Sequence, residues 1–357
     1  MMKRHILLVE PDFQIRYPNL ALMKISTKHK KLGDTVTYVK GEDYFLDNKP
    51  DKIYISTMFT YYSEETIRCI NFYKHFFKDA EVIVGGIFAT LMPDYIKEKT
   101  GIEPKVGCFE ELDRLTPDYE IVSEMIKYSP YIKKWEDFSI LFSTRGCPRG
   151  CAFCAVNTLE PIPSIIPNWK ELVDLKKKNV MFQDNNLTAM PFEHFKKVLE
   201  FIIDNKLKAC FNNGFDCRLL TDEHMKLMAK VKWYPGGLRL AFDNMSEDKY
   251  IQKTIKKLLE LGVSKSAFLI FCMFNFKDDF KEAMYRLSEM RELGVRPYPQ
   301  VYAPLDKLTK KPIFISDNWT LQLIREFRQY WILAGNHKYK TFEQFLTEKG
   351  KTFSELI

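Results

Sequence analysis

"FSILFSTRGCPRGCAFC", residues 138–154, joins an apolar stretch to a loop that contains three cysteines. Residues 138–143 are mostly apolar, which predicts a short buried β-strand. Cys147, Cys151 and Cys154 follow in a C-x3-C-x2-C spacing, and the glycines and proline among them allow the loop to curl. The stretch therefore predicts a strand with three thiols beyond its carboxyl end, where parallel α/β folds carry their chemistry.

An alternation of strands and helices continues from this stretch towards the C-terminus. Two of the amphipathic segments, residues 246–262 and 278–294, end at a glycine, where helices commonly stop. With residues 138–143 the predicted strands make six β/α units, fewer than the eight of a complete barrel. We therefore expect a partial, open-sided (β/α)6 barrel over residues 138–305. Its further strands are residues 179–184, 208–214, 237–243, 266–274 and 298–302.

The first third of the chain shows the same alternation. Short β-branched runs between amphipathic segments predict an α/β domain with a doubly wound parallel sheet over residues 1–111. Ligands of such sheets bind beyond the carboxyl ends of the strands. Residues 112–137 contain two prolines and little periodicity, so we expect a linker there. The predicted strands are residues 5–10, 35–40, 52–57 and 81–86, and their carboxyl ends meet residues 12–17, 56–58 and 85–86.

Composition predicts an ordinary globular protein. The 357 residues are 46% hydrophobic and 28% charged, which is enough for two domains with sizeable cores. No stretch approaches the length of a membrane span, and the N-terminus does not look like an export signal, so we expect a cytoplasmic protein. The net charge of +7 fits either a solvated lysine-rich surface or an acidic or nucleic-acid partner.

The last segment, residues 306–357, predicts two amphipathic helices that cap the barrel. Its aromatic residues are more typical of a helix core than of a platform for substrate. They include Trp319, Phe327, Tyr330 and Trp331.

The three clustered thiols have two chemical interpretations. Three thiolates can hold three irons of a 4Fe-4S cluster and leave the fourth iron open for a reacting ligand. A structural zinc site is the alternative, but such sites usually close with four ligands, often as two C-x2-C pairs, and the sequence has no second pair. The other five cysteines are scattered, so the iron-sulfur interpretation is favoured.

The sequence "CPRGCAFC" resembles the signature of the radical S-adenosylmethionine superfamily, C-x3-C-x-aromatic-C, with Phe153 as the aromatic residue beside the adenine. The resemblance covers residues 138–305. The resemblance implies that S-adenosylmethionine chelates the open iron. One electron from the cluster would then cleave S-adenosylmethionine to give a 5′-deoxyadenosyl radical, and this radical would take a hydrogen atom from the substrate. A reducing partner such as flavodoxin or ferredoxin is implied as well.

The same resemblance suggests residues that bind S-adenosylmethionine or substrate. Asp184, with Asn185 beside it, would bind the methionyl ammonium group, although Asn185 or Asn186 is equally suited to a helix N-cap. Arg239 would pair with the methionyl carboxylate, or else form a structural salt bridge, and Asp243 would bind the ribose. Further candidates after the third strand are Asn213, Asp216 and Arg218.

The N-terminal third is similar to the cobalamin-binding domains of some radical enzymes, in which D-x-H-x-x-G precedes S-x-L and G-G. The corresponding residues here only partly match the motif. Gln14 replaces the cobalt-binding histidine, so a bound cobalamin would lack that lower ligand, as is common in cobalamin-dependent radical enzymes. A purely structural domain is the alternative. The residues at these positions are Asp12, Gln14, Tyr17, Ser56, Met58, Gly85 and Gly86.

These resemblances imply a radical enzyme that methylates an unactivated carbon with the help of cobalamin. An alternative is a cobalamin-independent epimerase or rearrangement enzyme, for which Cys217 and Cys272 are candidate hydrogen-atom donors. A third interpretation is a non-catalytic iron-sulfur or zinc protein that binds nucleic acid. The sequence leaves the substrate open among a peptide, a tRNA and a small metabolite.

Overall fold

The computed structural model describes residues 3–14, 16–334 and 341–357. The chain has a mixed α/β fold with parallel sheets and helices between the strands. It divides into two compact units. The first unit is Met1–Gln183 with Leu305–Lys310, and the second unit is Asp184–Pro304 with Lys311–Ile357. The domain boundaries expected from the sequence remain a prediction.

The first unit contains a four-stranded parallel sheet in the order β2-β1-β3-β4. Alternate residues of its central strand β1 enter two different cores: Leu7 and Val9 pack on one face, and Ile6 and Leu8 on the other. A sheet buried on both faces needs helices on both sides, which is the doubly wound arrangement. The strands are β1 His5–Glu10, β2 Thr35–Lys40, β3 Lys52–Thr57 and β4 Glu81–Gly86.

Six helices accompany this sheet. The first of them begins after Asn19, whose side-chain Oδ1 accepts a hydrogen bond from the amide of Leu22 at 3.2 Å. The helices are α1 Leu20–Lys31, α2 Ser63–Phe76, α3 Ile87–Leu91, α4 Pro93–Thr100, α5 Glu110–Asp113 and α6 Val122–Tyr128.

The segment 112–137 is folded rather than extended. It contains α6 and a 3-10 turn over Pro130–Trp135, and its apolar residues join the core on the α1 face of the sheet. Ile121, Val122, Met125 and Ile132 are the buried members. Such burial makes the segment part of the first unit's core, which differs from the simple linker expected from its prolines.

The rest of the first unit carries the cysteine loop. Strand β5 Phe138–Leu141 pairs in parallel with β8 Asn179–Phe182. Between them, β6 Thr144–Arg145 and β7 Ser164–Ile165 form a short antiparallel ladder, and the single-turn helix α7 Val156–Leu159 lies inside the connection. The three cysteines therefore belong to the long loop that β6 and β7 close.

Residues 305–310 pack against the first unit although they lie far along the chain. Thr309 forms an antiparallel bridge with Tyr62, and Leu308 packs into the core between the sheet and α2. The hydroxyls of Thr60 and Ser63 donate to the carbonyls of residues 307 and 308 at 2.9 and 2.8 Å. We call residues 305–310 the return segment.

The second unit contains two groups of parallel strands. Strands β9 Lys208–Phe211 and β10 Lys232–Trp233 pair with each other. Strands β11 Leu238–Ala241, β12 Phe268–Phe274 and β13 Arg296–Val301 form a second parallel group in that order. The helices are α8 Phe192–Asp204, α9 Asp222–Met228, α10 Asp248–Glu260, α11 Phe280–Glu292, α12 Leu321–Ala334 and α13 Phe342–Glu348.

In the second unit, the structure agrees with the predicted helix ends and with the predicted burial of the aromatic residues. Gly262 and Gly294 have φ values of 91° and 77°, in the left-handed region that favours glycine after a helix. The aromatic residues of the C-terminal helices are buried together, as in the contact between Tyr330 of α12 and Phe342 of α13, with ring centroids 5.4 Å apart. Among the described residues, no helix combines the length and apolar character needed to cross a membrane.

Candidate functional site

The cysteine loop leaves β6 through a glycine that no other residue can replace without strain. Gly146 has a φ of 75°, and a Cβ at this position would lie 2.9 Å from the backbone of Pro163. The chain therefore turns sharply just before Cys147. This turn separates the loop from the strand that precedes it.

The three thiols lie in one loop, and each cysteine is partly exposed. The amide of Cys154 donates to the carbonyl of Cys151 at 3.0 Å, and the amide of Arg149 donates to Sγ of Cys147 at 3.5 Å. Phe153 is also partly exposed. Within residues 3–14, 16–334 and 341–357, no three Cys, His, Asp or Glu side chains are gathered as metal ligands. The donor set nevertheless fits an iron-sulfur cluster, because it consists of accessible thiols with a backbone amide directed at sulfur.

Four charged side chains interact where the cysteine loop begins and ends. Arg145 donates from Nε to Oδ2 of Asp113 at 2.9 Å and from Nη1 to Oε1 of Glu160 at 2.8 Å. Glu160 also accepts the amide of Gly146 at 2.6 Å. Nζ of Lys24 on α1 donates to the carbonyl of Asp113 at 3.2 Å. We call Lys24, Asp113, Arg145 and Glu160 the loop-base cluster; sequence reasoning missed it because its members are far apart in the chain.

The segments that the cobalamin resemblance indicates, residues 12–14, 16–17, 56–58 and 85–86, lie at the carboxyl edge of the N-terminal sheet. Because β1, β3 and β4 are parallel neighbours, the residues that follow them lie at one edge. Helix α3, which begins directly after β4, contacts α7 of the cysteine loop. The structure therefore brings this edge and the cysteine loop into neighbouring elements of the first unit.

The side chains at this edge have a buried polar network behind them. Glu10 is 1% exposed and accepts hydrogen bonds from Nζ of Lys40 at 2.8 Å and from Nδ2 of Asn19 at 3.2 Å. Burial raises the pKa of Glu10, although Lys40 opposes the shift. Nδ2 of Asn19 also donates to Oγ of Ser56 at 3.0 Å. The Ser56 hydroxyl is thus already part of the protein's own network.

The loop after β1 presents polar side chains and fixes aromatic ones. Asp12 and Gln14 are exposed, whereas Phe13 is buried against Tyr62 with ring centroids 5.2 Å apart. Tyr17 stacks on Trp135 at 4.8 Å. Tyr17 therefore has a packing role where the cobalamin motif carries glycine. Met58 after β3 is partly buried against the pair of Phe13 and Tyr62.

The two glycines at the end of β4 differ. Gly86 has a φ of 109°, and a Cβ there would collide with the backbone of Thr57. A Cβ at Gly85 would make only an ordinary contact with the carbonyl oxygen of Lys105, at 3.5 Å. Glycine at position 86 is therefore required by the neighbouring strand whether or not a ligand binds.

In the second unit, the region after β8 contains a buried carboxylate. Asp184 is 2% exposed, and Asn185 beside it is partly exposed. Oδ1 of Asn185 accepts a hydrogen bond from Nδ2 of Asn213 at 3.2 Å, so the structure brings together two predicted site residues from different loops. Asn186 rather than Asn185 is the N-cap residue of the 3-10 turn over Leu187–Ala189.

Asp216 and Arg218 are paired with each other rather than directed outward. Arg218 donates to both carboxylate oxygens of Asp216, at 2.7 and 3.0 Å, and lies 3.1 Å from Oε1 of Glu247. Glu247 in turn accepts the amide of Asp243 at 2.8 Å. The guanidinium therefore joins the loops after β9 and β11, which explains the residue types at both positions without a ligand.

Arg239 differs from Arg218 because its partners are neutral. Its Nε donates to the carbonyl of Gly236 at 3.2 Å, and its Nη1 donates to the carbonyl of Asn212 at 2.9 Å and to the side chain of Asn212. Arg239 is only 8% exposed, and no carboxylate among the described residues pairs with it. The structural salt bridge considered from the sequence is thus not found, and the guanidinium is suited to an anionic ligand.

Asp243 follows β11 and is held by a neighbouring strand. Its Oδ1 accepts the amide of Met273 at 3.0 Å, and burial raises the pKa of Asp243 to about 6. Behind it, the fully buried Arg286 donates to the carbonyls of Phe242 and Met273 at 2.9 and 2.7 Å and pairs with Asp278. These contacts fix the ends of β11 and β12.

The two cysteines considered as hydrogen-atom donors are buried. Cys272 is 0% exposed and Cys217 is 4% exposed. Burial raises the pKa of Cys217 to about 12 and raises the pKa of Cys272 as well. Their burial is typical of inert core thiols and argues against contact with a substrate.

Comparison with known proteins adds evidence on the fold. No family model matches the chain, and no curated protein is similar to it in sequence. Among solved structures, the chain resembles TsrM from Kitasatospora setae, a radical S-adenosylmethionine methyltransferase whose structure contains cobalamin and a 4Fe-4S cluster. The alignment has a TM-score of 0.62 and 13% sequence identity, and it covers 86% of this chain and 77% of TsrM.

Two further structures align much less well. XylFII covers 83% of the chain at 13% identity with a TM-score of 0.21, and a variant of SsGBP covers 95% at 11% identity with a TM-score of 0.20. At such scores neither informs the fold of this protein. The chain therefore shares its mixed α/β fold with TsrM.

Proposed function

We propose that the protein is a radical S-adenosylmethionine enzyme. One observation carries the proposal: the C-x3-C-x2-C loop follows a parallel strand in a chain whose fold resembles that of TsrM. Cys147, Cys151 and Cys154 would hold a 4Fe-4S cluster, and Phe153 would lie beside the adenine. The cluster would supply the electron that cleaves S-adenosylmethionine.

Residues 138–305 would form a partial (β/α)6 barrel, and several residues of the second unit would bind S-adenosylmethionine. Arg239 is the strongest candidate for the methionyl carboxylate, because it is a buried guanidinium with neutral partners only. Asp184 would accept hydrogen bonds from the methionyl ammonium group, with Asn185 and Asn213 beside it. Asp243 would bind the ribose hydroxyls, since one of its oxygens is already fixed by the amide of Met273.

The N-terminal sheet would bind cobalamin at its carboxyl edge, and the reaction would then be methylation of an unactivated carbon. The contact between α3 and α7 supports this role, because it brings the edge and the cysteine loop into neighbouring elements. Asp12 and Gln14 are exposed at the edge and would face the corrinoid. The residues of this chain would orient the corrinoid and exclude water from it.

A cobalamin-independent radical enzyme is a second candidate, and specific contacts favour it. Tyr17 is stacked on Trp135, Ser56 is hydrogen-bonded to Asn19, and Gly86 is required by Thr57. Each of these three positions thus has an explanation in packing that needs no corrinoid. In that case the sheet would be structural and the reaction an epimerisation or a rearrangement.

The nucleic-acid alternative has less support. Lysines of the basic run at the end of α1 form ion pairs: Lys28 lies 2.7 Å from Glu111, and Lys30 lies 2.7 Å from both Asp118 and Glu120. Such pairing reduces the local positive charge available for phosphates. The substrate of the proposed enzyme is open among a peptide, a tRNA and a small metabolite, and flavodoxin or ferredoxin would deliver the electron.

Anaerobic reconstitution tests the proposal that the protein is a radical S-adenosylmethionine enzyme. The purified chain is reconstituted with iron and sulfide, then mixed with dithionite and S-adenosylmethionine, and 5′-deoxyadenosine is measured by chromatography. We expect its formation to depend on the cluster. A protein that binds zinc but no iron under these conditions would rule the proposal out.

A separate experiment distinguishes the two enzyme candidates. The chain is expressed with hydroxocobalamin in the medium and purified, and its corrinoid absorbance is recorded. Stoichiometric corrinoid supports the methyltransferase. Formation of 5′-deoxyadenosine by a protein that contains no corrinoid supports the cobalamin-independent enzyme instead.

A further inference from the structure

We propose that the loop-base cluster is a positioning device for the iron-sulfur cluster: it ties both ends of the cysteine loop together and sets the electrostatic field beside the irons. The inference rests on the proposed function, because it needs a cluster on Cys147, Cys151 and Cys154. It goes further by giving a role to four charged residues that are not ligands.

The two ends of the loop meet at Glu160. Arg145 precedes Cys147 by two residues, and Glu160 follows Cys154 by six. Glu160 accepts a hydrogen bond from Nη1 of Arg145 at 2.8 Å and another from the backbone amide of Gly146 at 2.6 Å. One carboxylate thus holds both the residue that enters the loop and the glycine that turns it.

A second carboxylate fixes the same guanidinium from outside the loop. Asp113 on α5 accepts hydrogen bonds from Nε and Nη2 of Arg145, the two-point geometry in which arginine and carboxylate match best. The Arg145 guanidinium also lies 3.5 Å from the ring centroid of Phe142. The guanidinium therefore has little freedom to rotate, and neither does the chain that leads to Cys147.

The loop-base cluster is largely buried, and its positive and negative charges balance. The side chains of Asp113 and Glu160 are 9% and 10% exposed, and that of Lys24 is 3% exposed. Lys24 lies 3.7 Å from Oδ1 of Asp113, so two cations face two anions. Water screens buried charges poorly, so removal of any one leaves an uncompensated charge at the base of the cysteine loop.

The loop-base cluster also connects the cysteine loop to the N-terminal sheet. Lys24 belongs to α1, which packs on that sheet, and Asp113 ends α5, which contacts α1. Sγ of Cys108, shortly before α5, lies 3.9 Å from the carbonyl oxygen of Leu159 in α7. The residues between β4 and β5 therefore support the cysteine loop as well as the sheet.

The test uses charge-changing variants of opposite sign in the full chain. Glu160→Gln removes a negative charge but keeps an oxygen for the Gly146 amide, and Lys24→Met removes a positive charge at a similar side-chain length. Reduction adds negative charge to a cluster, so Glu160→Gln is expected to shift the midpoint potential to a more positive value and Lys24→Met to a more negative one. The midpoint potential is measured in a redox titration that is monitored by electron paramagnetic resonance.

Cluster stability gives a second reading. Loss of iron to a chelator should be on the order of tenfold faster in Glu160→Ala than in the wild type, because Asp113 alone would then face both Arg145 and Lys24 and one buried positive charge would lack its anion. Glu160→Gln should lie between the two. Glu110→Gln on the same helix as Asp113 is the matched control, since Glu110 pairs with Arg114 at the surface and its loss should change neither reading.

The outcomes separate the two proposals. A wild-type protein without a cluster defeats the proposed function and this inference together. A normal wild-type cluster whose potential and chelator resistance are unchanged in Glu160→Gln, Lys24→Met and Glu160→Ala overturns the inference alone. If Glu160→Ala does not fold, the opposite potential shifts of the two milder variants still decide the question.

Discussion

The glycine at position 86 lies against the backbone of Thr57, so close that a Cβ there would be 2.2 Å from the Thr57 carbonyl oxygen. The Thr57 side chain completes the junction between β3, β4 and α3. Its hydroxyl donates to the carbonyl of Gly85 at 3.0 Å and accepts the amide of Ala89 at 2.9 Å. The end of β4 is thus shaped by the protein's own contacts.

This junction predicts different effects for the two adjacent glycines. Gly86→Ala combines a backbone collision with an unfavourable φ of 109°, and we expect it to lower the free energy of unfolding by more than about 2 kcal/mol. Gly85→Ala, with an ordinary contact to Lys105, should change it by less than about 1 kcal/mol. Urea unfolding measures both, and equal losses would contradict the expectation.

The second prediction concerns the cluster ligands. Replacing Cys147, Cys151 and Cys154 together with alanine should abolish the brown absorbance and the bound iron of the reconstituted protein. Cys108→Ala is the control, because this cysteine is exposed and near α7 but lies outside the loop. A triple variant that still bound four irons would disprove the assignment.

The third prediction separates two arginines of the second unit. Arg239→Met should weaken binding of S-adenosylmethionine by about 1.5–3 kcal/mol, the range for hydrogen bonds to charged groups. Arg218→Met should mainly lower the free energy of unfolding, because it leaves Asp216 and Glu247 without their cation. Isothermal titration and urea unfolding give the two readings, and wild-type affinity in Arg239→Met would count against the carboxylate role.

A fourth prediction concerns a buried histidine of the N-terminal domain. Nδ1 of His29 lies 2.7 Å from Oδ2 of Asp34, and its Nε2 lies 2.9 Å from the hydroxyl of Tyr54. Burial lowers the pKa of His29 below its ordinary value of 6.5, with Asp34 opposing the shift and Arg4 and Lys52 adding to it. The hydrogen bond from His29 lowers the pKa of Asp34 to about 2.

Both shifts have the same sign. Each group binds fewer protons in the folded state than in the unfolded state, so stability rises with pH. The contribution of His29 is complete above 6.5 and is lost as the pH falls towards its folded pKa. That of Asp34 is complete above 3.8 and is lost towards about 2.

Urea unfolding between neutral pH and pH about 5 tests the histidine separately from the aspartate. The wild type should lose more stability over this interval than His29→Gln, which has no titrating ring. His75→Gln is the control because His75 is exposed. Parallel losses in the wild type and in His29→Gln would show that His29 does not cause the dependence.

The strands of the N-terminal sheet were predictable to the residue. Their β-branched runs are bounded by turn residues, such as Pro11 after β1, and residues 6–9 of β1 are all apolar because both faces of this strand are buried. The strand predicted at residues 208–214 ends earlier, at Phe211. Gly214 has a φ of 85°, and a Cβ there would lie 2.8 Å from the carbonyl oxygen of Arg239, so the chain turns at this glycine, and only the isolated bridge of Phe215 with Leu240 follows it.

The site was only partly predictable. The cysteine spacing is local and can be read directly, whereas Asp113 and Arg145 lie 32 residues apart and meet only after folding. The pairing of Asp216 with Arg218 is local but has no sequence signature that distinguishes it from a ligand site. The prolines in residues 112–137 concealed the short helix α6, whose burial depends on tertiary packing.

The return segment makes the first unit a discontinuous domain, and this has a practical consequence for fragment design. A recombinant fragment that stops at residue 183 lacks Leu308, which packs into the core, and the carbonyls of residues 307 and 308 that accept the hydroxyls of Thr60 and Ser63. Such a fragment exposes apolar surface and is expected to aggregate. Co-expression with a peptide that spans residues 305–310, or a genetic fusion of that peptide through a flexible spacer, is expected to restore these contacts.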